Sequence, residues 1–273
     1  MGTSGATFAR FCFAFPFAWL YVGGLDFYGG LAMPGWSGPF LMFASIGGAS
    51  QIIATALLIH LFSYRNFTVG TTFSKTETIQ AALFGLLILG DSISTGAIFA
   101  IVISLLGVVM ISAARPVSGV DKFWHSLTGK PAMLGIASGA CFGISAVSYR
   151  AASLSLGMDS AVMSAAFTLA NVTVMQTVVM AIYMAVRHPG EISRVLKAWR
   201  ISSLVGLTGM LASAGWFTAM TLQNAAYVRA LGQIELIFTF MVSVFIFKEH
   251  INKKEITGIT LVTMGIIGIV LYS

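Results

Sequence analysis

Nine apolar stretches of about 18 to 27 residues occupy most of this chain, and they constrain its fold more than any other feature. They run approximately over 5–22, 39–62, 67–89, 95–114, 131–149, 160–186, 202–222, 225–247 and 255–272. A helix needs roughly 20 mostly apolar residues to cross the hydrocarbon core of a bilayer. Strands of a membrane barrel would instead alternate apolar and polar residues over ~10 positions, and these runs are apolar throughout. Composition agrees. Charged residues make up 9% of the chain, against about 25% in soluble domains, too few to cover a water-facing surface. The sequence therefore predicts an all-α integral membrane protein of about nine transmembrane helices. It excludes a disordered chain, a coiled coil and a nucleic-acid-binding module.

Chemistry-bearing motifs are few. Cys12 and Cys141 both lie inside apolar runs and read as small packing residues. No zinc-ligand spacing, P-loop, G-x-S-x-G or H-E-x-x-H occurs, so no metal or cofactor is expected. His60, His125, His188 and His250 are scattered over loops and span ends, which argues against an integral-membrane enzyme. Arg10 interrupts the first apolar stretch and no small-residue cleavage site follows, unlike a signal peptide.

Shifting the sequence by 158 residues lays Ser45–Ser112 on Ser203–Val270 without a gap. Gly48 then meets Gly206, Asn66 meets Asn224, Glu77 meets Glu235, Gly107 meets Gly265, and Asp91 meets Glu249. Spans and short loops coincide throughout. The predicted organisation is a first repeat over 1–115 with four spans, a connecting loop over 116–129, and a second repeat over 130–273 with five. The first half holds no partner for the span 131–149, so either the protein has nine helices or the chain starts at an internal methionine. A flank left uncovered in this way would be closed by lipid or by a second copy in a homodimer.

The second repeat also carries a packing signal. Gly135, Gly139 and Gly143 stand four apart, two overlapping GxxxG steps that admit a close neighbouring helix. Each half further holds an apolar helix ending in a Gly-Glu-like pair, then a helix with spaced glycines. These read Gly90–Asp91 then Gly107, and Lys248–Glu249 then Gly258 and Gly265. On these residues the chain resembles the drug/metabolite transporter superfamily, and specifically its EamA-type ten-helix members. Thr78 and Leu236 stand where family repeats commonly carry a proline. The resemblance implies two five-helix repeats, a secondary transporter, and export of a small metabolite such as an amino acid. An odd number of spans per family repeat makes the repeats inverted, related by a pseudo-two-fold axis in the membrane plane.

With nine alternating spans, twelve basic residues fall on one side and two on the other. The positive-inside rule places the richer side in the cytoplasm and Ser273 outside, in what reads as a bacterial inner membrane.

Glu77 lies 12 residues from Arg65 and 14 from Asp91, while Glu235 lies 11 from Asn224 and 13 from Lys248. Both are therefore expected near the bilayer midplane, where an acid costs about 2.5 to 3.5 kcal/mol and must face a partner or a wet cavity. Lys75 and its repeat mate Gln233 each precede a glutamate by two residues. Residues so spaced point to nearly opposite helix faces, so Lys75 is expected to reach Glu235 rather than Glu77. Gln80 shares the face of Glu77, and Thr239 that of Glu235. Gln51, Asn171 and Gln176 are midspan polar residues, and Trp216 heads the aromatic residues that would line a pocket. Arg10, Arg150 and Arg229 read as snorkelling residues near span ends.

The functional reading is a secondary transporter whose central cavity lies at the repeat interface. Its partners are the lipid bilayer, a small-molecule substrate and protons. The candidate residues are Glu77, Glu235, Lys75, Gln233, Gln80, Thr239, Gln51 and Trp216. The alternative function is an integral-membrane scaffold or channel without active coupling, and the alternative role of the two glutamates is a buried, satisfied pair that fixes helix register.

Overall fold

The computed structural model describes residues 3–64, 67–114, 129–246, 248 and 252–273. Arg65, Asn66, Arg115, Lys122, His125, Glu249, His250 and most of the connecting loop 116–129 lie outside the described residues. Helices form the whole framework, and no strand occurs among the described residues. In chain order they are α1 (Thr3–Phe27), α2 (Gly38–Leu61), α3 (Phe67–Ser74), α4 (Glu77–Leu89), α5 (Thr95–Ala114) and α6 (Lys130–Leu154). They continue with α7 (Ala161–Arg187), α8 (Glu191–Lys197), α9 (Trp199–Leu222), α10 (Ala225–Leu231), α11 (Ile234–Phe245) and α12 (Lys253–Tyr272).

Helix ends follow local chemistry. The Ser160 hydroxyl accepts from the Met163 amide and starts α7. Asn252 and Glu255 cap each other's backbone at the start of α12. Gly90 closes α4 at φ 68°, a left-handed conformation open to glycine at little cost. The Asp91 amide there returns to the Gly85 carbonyl.

Eight segments among the described residues are long and apolar enough to cross a membrane, which makes this an all-α membrane protein. One of the eight, Ala225–Val242, runs through the break between α10 and α11. The expected continuous span over 67–89 is likewise divided, into α3 and α4. Leu20, Phe27, Leu87, Phe99, Val186 and Leu271 leave most of their surface uncovered, as lipid-facing side chains do.

The chain forms two compact units, and each takes segments from both halves of the sequence. Residues 1–52 and 145–223 make the first. In it α1 packs on α7 and α9, and short α8 lies against all three. Phe8, Phe11, Met180, Met184 and Val195 form its core.

Residues 53–144 and 224–273 make the second unit. In it α5 pairs with α12, and α4 with α10. A Cβ on Gly258 would stand 2.8 Å from the Gly107 carbonyl oxygen, so the α5–α12 pair closes only without side chains there. The GxxxG stripe of α6 lies against the divided span. A Cβ on Gly139 would stand 2.8 Å from the Ser74 carbonyl oxygen and 3.3 Å from the Glu77 amide nitrogen.

Candidate functional site

Two tightened turns build the site in the second unit. Between α3 and α4 the amides of Lys75 and Thr76 bond back three residues, to Thr72 and Phe73. Between α10 and α11 the amides of Gln233 and Glu235 do the same, to Ala230 and Gly232. These are 3₁₀ bonds inside otherwise α-helical segments, a geometry often found at functional hinges. Thr76 sits at φ −65°, ψ −7° and Gln233 at φ −66°, ψ −7°, so each new helix is preceded by a residue of the same helical conformation. Hydroxyls add bonds at the first turn: Ser74 donates to the Thr71 carbonyl at 2.8 Å and Thr76 to the Phe73 carbonyl at 2.6 Å.

Each turn delivers a glutamate to the opening of a new helix. Glu77 is the first residue of α4 and Glu235 the second of α11. Both are the eleventh residue from the start of their divided segment. Ten residues of helix rise about 15 Å, half the hydrocarbon thickness, so both carboxylates belong near mid-membrane. The positive dipole end of each new helix favours negative charge there.

Four charges meet around these turns. Lys75 Nζ forms an ion pair with Glu235 Oε1, the partnership expected from the sequence. Arg229 Nη1 stands 3.8 Å from Glu77 Oε1, and its guanidinium lies 6.0 Å from the Phe142 ring centroid. Arg229 was expected to snorkel. Facing Glu77 lowers its energy more, because a midspan carboxylate offers a charge that a span end does not. The pairs differ in burial. Glu77 and Arg229 keep 16% and 18% of their side-chain surface, whereas Lys75 keeps 29% and Glu235 57%. A carboxylate that open at mid-membrane depth must meet water, because lipid contact costs too much.

The remaining candidates divide. Gln233 is buried, accepting from the Ser104 hydroxyl at 2.6 Å and donating to the Thr78 hydroxyl at 3.1 Å. It therefore braces its turn against α4 and α5. Gln80 donates to the Thr76 hydroxyl at 3.0 Å, and its buried side-chain oxygen has no hydrogen-bond partner among the described residues. Thr239 bonds the backbone carbonyl of Glu235 at 2.8 Å rather than its carboxylate.

Gln51 and Trp216 lie in the first unit. There the Gln51 side-chain oxygen accepts from the Tyr149 hydroxyl at 2.9 Å and from Gln176 Nε2 at 2.7 Å. Tyr149 stacks on Phe217 with centroids 4.5 Å apart. Trp216 is the neighbour of Phe217 in α9 and is partly exposed. Asn171 donates to the Phe167 carbonyl of its own helix at 2.8 Å. Arg150 donates to the carbonyls of Met220, Thr221 and Gln223 and so caps the end of α9.

Arg229 is the functional candidate that sequence reasoning missed. A charge balance over the two divided spans would have found it. Glu77 and Glu235 need two cations, and Lys75 and Arg229 are the two those spans contain.

Comparison with known proteins agrees with this architecture. Residues 129–271 match the EamA-like transporter family. Among curated proteins, none matches the sequence. A crystal structure of another protein aligns with a TM-score of 0.73 at 12% identity, covering 100% of this chain and 90% of the other. At that identity the likeness speaks to the fold alone.

Proposed function

The chain belongs to the EamA-like transporter family, and on that premise we propose that it exports a small metabolite such as an amino acid by exchange at the midspan charges. Family membership makes it a multi-pass membrane transporter of the drug/metabolite kind, in contact with lipid and with small-molecule substrates. The finer reading places it in a bacterial inner membrane with its basic loops in the cytoplasm. It also treats 1–115 and 130–273 as inverted repeats. The two matching turns, reached after segments that start at Phe67 and Ala225, support that view.

The observation that carries the proposal is the Lys75–Glu235 pair, half open to solvent at mid-membrane depth. A lysine ammonium and a substrate ammonium compete for the same carboxylate. When substrate or a proton occupies Glu235, Lys75 is released and the tie across the two turns opens. When the carboxylate empties, Lys75 returns. Glu77 and Arg229, less exposed, hold the neighbouring turn in register meanwhile.

Counterflow in proteoliposomes tests this. Uptake of labelled amino acid into vesicles preloaded with unlabelled amino acid should saturate and should change with an imposed pH gradient. Unsaturable flux that ignores preloading would establish the channel alternative instead.

A further inference from the structure

The spans of the first unit contain a cation that the mechanism above does not use. Arg10 lies seven residues into α1, about 10 Å beyond its start. Its side chain lines a small cavity together with Gln51, Thr173, Gln176, Ser213 and Phe217. The cavity admits a group of only a few atoms.

A charge count shows what is missing there. Within the described spans Lys75 has Glu235, Arg229 has Glu77, and Arg150 has three helix-terminal carbonyls. No carboxylate among the described residues pairs with Arg10. A guanidinium inside a membrane span without a counter-charge is costly. Its planar fork of donors matches a carboxylate in two parallel hydrogen bonds. The surroundings suit the same ligand. Ser213 brings a hydroxyl to the lining, while that of Thr173 is spent on the Leu169 and Ala170 carbonyls of its own helix. Gln51 and Gln176 are fixed to each other and to Tyr149, so that wall is rigid. Phe217, stacked on Tyr149, supplies an apolar side. A Cβ on Gly209 would stand 3.7 Å from Arg10 Cγ and 3.8 Å from its Nε, so the glycine leaves the arginine stem room to lie along α9.

We infer that this cavity is a carboxylate subsite, in which Arg10 binds the acid group of the transported metabolite and the rigid amide pair excludes bulkier anions. The inference rests on the transporter reading only in taking the anion to be cargo.

Equilibrium dialysis on the full chain in phosphatidylcholine nanodiscs tests it, with labelled acetate and L-alanine as probes and acetamide and L-alaninamide as their uncharged-acid counterparts. The acids should bind at least tenfold more tightly than the amides. Arg10→Gln should weaken the acids at least tenfold and leave the amides unchanged. Ser213→Val, which fills the cavity and keeps the arginine, should weaken the acids similarly, so the test survives if one variant fails to fold. Equal binding of acid and amide, no binding of either acid, or acid binding unaffected by Arg10→Gln would each overturn the inference. So would stabilisation by phosphatidylglycerol that Arg10→Gln abolishes while acid binding persists, since the anion would then be a lipid headgroup. Failure here leaves counterflow intact, whereas failure of the transporter reading removes counterflow and leaves dialysis binding intact.

Discussion

Arg229 faces Glu77 across 3.8 Å while Lys75 holds Glu235, so the two divided spans carry two positive and two negative charges in matched pairs. Removing either member of a low-exposure pair strands the other. Glu77→Gln should therefore destabilise the protein by about 2–3 kcal/mol, slightly under the range for fully buried pairs. The double variant Glu77→Gln/Arg229→Gln should recover most of that loss. A thermal-unfolding cycle in detergent over the four forms reads the coupling directly, and additive losses would refute it.

Glu235 presents the opposite case. Its side chain is more than half exposed, so Glu235→Gln should change stability by no more than about 1 kcal/mol. Transport should suffer far more, with at least a tenfold slower rate, because a neutral amide cannot hold a cationic substrate group in place of Lys75. Proteoliposome uptake checks this. An unchanged rate would leave the carboxylate a purely structural role.

The backbone contact at Gly139 makes a sharper demand on packing. A methyl group there meets the Ser74 carbonyl oxygen and the Glu77 amide rather than a flexible side chain. Gly139→Ala should cost about 1–3 kcal/mol and lower the yield of folded protein. Gly23→Ala, where nothing lies within 4 Å, is the matched control and should be nearly silent. Size-exclusion profiles and unfolding temperatures of the two variants give the comparison.

Gln233 offers a test of the second turn. Gln233→Ala leaves the Ser104 and Thr78 hydroxyls without their bridge, and each unsatisfied buried group costs about 1–3 kcal/mol. Gln233→Glu should do better than alanine in unfolding measurements, because it keeps an acceptor for Ser104. Alanine outperforming glutamate would show that the bridge is dispensable.

The membrane class was legible from run lengths alone, because a continuous apolar segment of about 20 residues has few other uses. The Lys75–Glu235 partnership was legible too, through helix-face geometry applied to the offset that pairs Glu77 with Glu235. The two turns were not. Residues 67–89 and 225–247 read as uninterrupted because apolarity reports burial, not backbone hydrogen bonding, and no proline marks either turn. Arg229 was misjudged by counting residues to the span end, when the nearby acid decided where its side chain went. Gln51 and Gln176 were visible as polar residues, but their union with Tyr149 depends on how three helices pack, which spacing along one helix does not encode.

The crossed arrangement of the two ion pairs has a mechanical consequence. Lys75 follows α3 and Glu235 belongs to α11, whereas Glu77 opens α4 and Arg229 belongs to α10. Each pair thus laces the leading half of one divided span to the trailing half of the other, like two diagonals of a braced frame. Flexing either turn lengthens one diagonal and shortens the other. Neither span can bend alone without loosening a diagonal, and with the Lys75–Glu235 diagonal released the Arg229–Glu77 diagonal still joins the two spans.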